Sequence, residues 1–95
     1  MSFKKFDADA RGLITCAMRI ADLTGVTPQD FLTAQALTPD DIPKPDDWRE
    51  RSRTLAFTAE TKKGMELSLR HALRAEHEFI TREDVLAGMK KASNG

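Results

Sequence analysis

Apolar residues recur at helical spacing in two stretches of the chain, and the clearer one covers 57–89, FTAETKKGMELSLRHALRAEHEFITREDVLAGM. Met65, Leu69, Ala72 and Leu73 fall at i, i+4, i+7 and i+8, with Lys63, Arg70, Arg74 and His77 on the other side. That period predicts an amphipathic packing helix. Glu76-His77-Glu78 breaks it, and Phe79 and Ile80 lead into a turn. Thr81-Arg82-Glu83-Asp84 then has the Ser/Thr-x-x-acid spacing in which a side-chain oxygen satisfies an N–H left open at a helix start. A second helix is expected from Thr81.

The same unit is found near the start of the chain. Phe6-Asp-Ala-Asp-Ala-Arg11 aligns with Phe57-Thr-Ala-Glu-Thr-Lys62, Ile14 with Met65, Cys16 with Leu67, Met18 with Leu69 and Ala21 with Ala72. Val26-Thr-Pro-Gln-Asp30-Phe-Leu32 aligns with Ile80-Thr-Arg-Glu-Asp84-Val-Leu86. Each unit leaves an apolar face that stacking on its twin can cover. The expected fold is all-α, with two pseudo-symmetric helical repeats giving four main helices plus one short helix, in a single domain over 1–95. Repeat one covers about 3–37, a proline- and aspartate-rich connector 38–56, and repeat two 57–89.

Helix one is expected over about 7–24, with Asp7 and Asp9 beside the positive end of its dipole and Gly25 ending it. Its polar positions form one narrow stripe, Arg11, Thr15, Arg19 and Asp22, while Leu13, Ile14, Ala17, Met18, Ile20 and Leu23 spread around the rest. It should be the most buried helix. Cys16 lies on that broad apolar surface and reads as a small core residue rather than a nucleophile. Thr27 caps helix two, Pro28 takes its first position, where the missing N–H costs nothing, and Phe31, Leu32 and Leu37 face inward. Three prolines and four aspartates in TPDDIPKPDD, 38–47, should end regular structure. A short helix over 48–55 carries Trp48 with Arg49, Arg51 and Arg53. Trp48 is read as filling a gap in the fold, and the arginines as answering the aspartates just before them, in preference to a nucleic-acid or peptide contact.

The two units resemble the N-terminal domain of the Clp AAA+ unfoldases, especially the ClpC type, which is built from two helical repeats. Repeat two carries the closer match, with Phe57-Thr58, Lys62-Lys63, the run Phe79-Ile80-Thr81-Arg82-Glu83-Asp84-Val85-Leu86, and Gly88. The likeness covers roughly 3–37 and 57–89, and the family's third and fourth helices of each repeat look shortened or missing. It implies a non-catalytic module that binds peptides or substrate proteins, a Clp unfoldase or its adaptors, or cyclomarin-like cyclic peptides. The module would act as an adaptor, a competitor or a decoy. By the resemblance, Phe3, Phe57 and Lys62 line the ligand- and peptide-binding groove. The glutamates that bind phosphoarginine in the family correspond to Glu83 and Gln29, so one acid of the pair is replaced. A guanidinium needs a carboxylate for a charge-assisted bidentate contact, and weak or absent phosphoarginine binding follows. Read without the resemblance, Phe3 and Phe57 are staples to the core and Lys62 is solvent-exposed.

Composition narrows the remaining choices. Fifteen basic and fifteen acidic residues cancel, which disfavours a protein that grips nucleic acid by bulk electrostatics. One cysteine makes no internal disulfide, the first residues lack the apolar run of a signal peptide, and no segment reaches the ~20 apolar residues a bilayer span needs. A soluble cytoplasmic protein that does not bind membrane is expected. The chain contains no Gly-x-x-x-x-Gly-Lys-Ser/Thr loop. His71 and His77, six apart on a helix, would lie on different faces, which disfavours a shared metal. Neither an enzyme nor a cofactor is expected. The alternative function is a histone-fold-like or other helical DNA-binding protein, since 77–86 resembles the turn into the last helix of a histone fold. An enzyme using Glu83 and Asp84 as an acid/base pair ranks third, because capping already explains both residues.

Overall fold

The capping signals at Thr27 and Thr81 mark helix starts in the computed structural model, which describes residues 5–94. Phe3 lies outside them. The elements are α1 (Ala8–Ile20), α2 (Pro28–Thr33), α3 (Trp48–Thr54), α4 (Ala59–Arg74) and α5 (Arg82–Asn94), with 3₁₀ turns at Ala34–Ala36 and Pro39–Asp41. The fold is all-helical, and the described residues contain no strand, only two isolated parallel bridges. None of their helices is long and apolar enough to cross a membrane.

Asp7 caps α1 by accepting the Ala10 N–H at 2.8 Å. The helix ends at Ile20, short of the expected Thr24, because Ala21 is already extended (φ −64°, ψ 148°). Asp22 accepts both the backbone N–H of Thr24 at 2.8 Å and its hydroxyl, a local turn that competes with further helix. Those bonds hold the Asp22 carboxyl below its ordinary range. Leu23, counted above among the apolar positions of helix one, therefore lies past the helix end and is 77% exposed. Gly25 takes φ 137°, and a Cβ there would lie 3.1 Å from the Ala56 carbonyl, so glycine lets the chain reach residues 56–58.

Thr27 and Asp30 form a reciprocal capping box around Pro28 at the start of α2. Phe31 is fully buried, and Leu32 and Leu37 are half-buried beside it. The connector is more ordered than expected. Thr38 and Asp41 make a second box that closes a 3₁₀ turn. Arg19 ties this turn to α1 through the carbonyls of Pro39 (2.7 Å) and Ile42 (2.8 Å), and its guanidinium lies 5.4 Å from the centre of the Trp48 ring. The arginines of α3 do not mainly answer aspartates. Arg51 donates to the carbonyls of Ala21 (2.6 Å) and Arg19 (3.3 Å), left open by the end of α1. Its 4.0 Å approach to the exposed Asp47 is weak by comparison.

Helices α4 and α5 form an antiparallel hairpin with the largest interface in the molecule. Its seam corrects the stripe expected for α4. The fully buried positions are Thr61, Gly64, Ser68 and Ala72, whereas Met65 and Leu69 are half-buried and Leu73 is 54% exposed. Small residues win the interface because the helices approach so closely. A Cβ on Gly88 would clash with the Gly64 carbonyl and the Ser68 hydroxyl and come within 2.6 Å of the Ser68 nitrogen. The buried Ser68 hydroxyl is satisfied by donating to Gly64 O at 2.7 Å. Val85 and Met89 of α5 join Leu13, Cys16, Ala17, Val26 and Phe31 in one core. Burial pushes the Cys16 thiol above its ordinary pKa, only partly opposed by Arg82 and Arg19, consistent with a core residue.

Candidate ligand-binding clefts

The two parallel bridges set the geometry at the helix starts. Ile80 donates to Lys5 O (2.9 Å) and accepts from Asp7 N (3.0 Å), so it brackets Phe6. Val26 donates to Ala56 O (2.9 Å) and accepts from Thr58 N (3.1 Å), so it brackets Phe57 in the same pattern. One bridge sets the start of α1 beside that of α5, and the other sets the start of α2 beside that of α4. Thr61 reinforces the second, its buried hydroxyl donating to Val26 O at 2.6 Å.

A cleft opens at each pair of starts. The first, about 470 Å³, is lined by Asp9 of α1, His71 of α4, and Arg82, Glu83, Leu86 and Lys90 of α5. The second, about 600 Å³, is lined by Thr27, Pro28 and Gln29 of α2, Glu60 of α4, and Ala92 and Ser93 of α5. Glu83 and Gln29 are thus both at the surface but in separate clefts, each near an acid from another helix start. A third cleft of about 320 Å³ has Phe6, the half-exposed Phe79, Lys5 and Arg11 on its walls. Phe57 and Lys62 line none of these three. Phe57 is half-buried against the core, its ring edge-on to Phe31 at 6.2 Å and 70°, and Lys62 is exposed on the second turn of α4.

Arg82 locks the first cleft. It donates to the carbonyls of Leu37 (2.5 Å), Ala34 (3.1 Å) and Gln35 (3.1 Å) and pairs with Asp9 at 3.3 Å. It therefore satisfies the open carbonyls after α2 and ties α5 to the first half of the chain. Nothing local in the sequence marks this role, because every partner is more than forty residues away.

The arrangement of the histidines corrects the expectation that they lie apart. α4 ends in a Schellman turn in which Glu76 takes φ 59°, Glu76 N donates to Leu73 O (3.2 Å) and His77 N donates to Ala72 O (3.0 Å). The reversal carries His77 off the helix and back toward His71. Both imidazoles reach the fully buried Asp84, His71 Nδ1 at 2.5 Å from Oδ1 and His77 Nδ1 at 2.8 Å from Oδ2. Asp84 also accepts the Thr81 N–H (2.9 Å) and hydroxyl (3.0 Å). Burial pushes its carboxyl up, but the Thr81 N–H, the two imidazoles and the Thr81 hydroxyl together outweigh it and hold the pKa at about 2. An ionised carboxylate only accepts, so each Nδ1 carries the shared proton. With its oxygens committed in this way, Asp84 is a structural anchor, and Glu83 beside it is exposed. The described residues hold no cluster of three or more His, Cys, Asp or Glu able to bind a metal.

No protein-family model matches the chain, and no curated protein matches it.

Proposed function

We propose that the chain is a peptide- and protein-binding module of the Clp N-domain type, built from two pseudo-symmetric units and working in the cytoplasm without catalysis. The observation that carries this reading is the identical hydrogen-bond pattern of the two bridges. Phe6 and Phe57 open the two sequence units, Val26 and Ile80 open their second helices, and each bridge joins the opener of one unit to the second-helix residue of the other. A pair of related units packed about a local twofold makes that exchange. It also leaves two clefts at the helix starts, where a phosphoarginine side chain can dock.

In this reading Phe57, Lys62 and Phe3 bind an apolar or cyclic peptide, aromatic faces supplying large contact area at small entropic cost. Glu83 and Gln29 mark the two phosphoarginine-type positions. The module serves Clp-dependent proteolysis as an adaptor, a competitor or a decoy. Calorimetry with phosphoarginine tests the assignment of the clefts. Binding should be weak in the wild type and should strengthen in Gln29→Glu, which restores the missing carboxylate beside Glu60. Tight wild-type binding at two sites, or no gain in the variant, counts against the assignment.

A further inference from the structure

Beside the first cleft, with which it shares His71 and Ala87, the α4–α5 hairpin carries a small recess of about 50 Å³. Arg70, His71 and Arg74 of α4 and Lys91 of α5 stand around it, no acidic residue lines it, and Ala87 and Gly88 give it a low floor. The chain as a whole is neutral, with fifteen Lys and Arg and fifteen Asp and Glu, so three cationic side chains, Arg70, Arg74 and Lys91, at one point are a local feature and not a reflection of bulk charge. Arg70 is shared with Glu66 at 2.8 Å on the exposed helix surface, a bond of small net worth. Among the described residues, Arg74 and Lys91 have no hydrogen-bond or ion-pair partner. The Nδ1–H of His71 is committed to Asp84, which fixes the ring and leaves Nε2 as its remaining polar atom.

We propose that this recess binds a phosphomonoester dianion. Its size admits one phosphoryl group. The three terminal oxygens of such a group carry nearly two negative charges at neutral pH and take charge-assisted hydrogen bonds from guanidinium and ammonium donors. Arg74 and Lys91 supply those bonds from opposite helices, and Arg70 turns to the anion from Glu66. A duplex presents singly charged phosphodiesters spaced along a line. The cations here converge on one recess, which favours the dianion over nucleic acid.

The test is an amide-resolved NMR titration of the full chain with inorganic phosphate, with a phosphoserine peptide, with the same peptide unphosphorylated, and with duplex DNA lacking terminal phosphates. The expected result is saturable shifts centred on residues 70, 74, 88 and 91 with phosphate and with the phosphopeptide, and none with the unphosphorylated peptide. Tighter binding of the phosphopeptide than of phosphate identifies a modified protein as the source of the group, and equal binding identifies a small phosphate. Arg74→Gln and Lys91→Gln should each weaken binding on the order of tenfold, the usual worth of a charge-assisted contact. Both side chains lie at the rim of the recess, and Arg53→Gln on the exposed face of α3 should leave binding unchanged. Wild-type affinity in the Arg74→Gln, Lys91→Gln double variant, absence of saturable shifts with both phosphate ligands, or tighter binding of the duplex than of the phosphopeptide at equal salt overturns the proposal.

Discussion

Asp84, buried at the start of α5, holds His71 of α4 at 2.5 Å and thereby clasps the α4–α5 hairpin at its closed end. Its carboxyl titrates at about 2 in the folded chain, against roughly 3.9 when unfolded. A depressed folded pKa contributes stability that is fully present above the unfolded value and is lost as pH falls through the folded value. The contribution at neutral pH is on the order of 2 kcal/mol. Asp84→Asn should therefore be less stable than wild type in urea at pH 7, and the gap should narrow steadily between about pH 4.5 and pH 2.5. A gap independent of pH over that window would mean that the carboxylate charge is not what the histidines and Thr81 stabilise.

Gly88 gives the second prediction. Alanine in a helix interior normally gains about 1 kcal/mol over glycine. At Gly88 the added methyl meets backbone and hydroxyl atoms of α4 that have nowhere to go. Gly88→Ala should instead destabilise by roughly 1–3 kcal/mol, as overpacking does. The measurement is the urea midpoint. A midpoint equal to or above wild type would show that the helices are further apart than the small-residue seam requires.

The caps were the most legible part of the fold, because Thr27 with Asp30, Pro28, and Thr81 with Asp84 act within one turn of chain. The helix ends were less so. α1 stops where Asp22 bonds to Thr24, and α4 reverses at Glu76, a residue type that gives no glycine-like signal for φ near 60°. The convergence of His71 and His77 depends on that reversal, which is why their spacing in sequence suggested the opposite. The α4 seam left a trace that could have been read. Gly64, Ser68 and Ala72 recur at i, i+4 and i+8, and Gly88 lies on the facing helix, a pattern of close approach that the larger Met65 and Leu69 overshadowed. Arg51 and Arg82 act on carbonyls exposed by those helix ends, so their roles became visible only with the ends in place.

Phe57 separates packing from binding. Its half-buried ring rests edge-on against Phe31, so Phe57→Ala should cost about 2 kcal/mol or more, toward the lower end of aromatic truncations in a core. Lys62→Ala, on the exposed face of α4, should leave the melting temperature within a degree or so of wild type. Thermal denaturation of both variants checks the pair. A Phe57→Ala protein as stable as wild type would place the ring outside the core, and a large loss in Lys62→Ala would give that lysine a structural role.

The proposal that the chain binds peptides through Phe57 and Lys62 is tested most directly by titrating the folded protein with a cyclomarin-like cyclic peptide. Amide shifts followed by NMR should be saturable and should cluster around residues 57–62 and the adjoining bridge at Val26. Lys62→Ala should weaken the affinity with no change in melting temperature. Absence of saturable shifts, or the same affinity in wild type and in folded Lys62→Ala, would contradict a peptide-binding module of this kind.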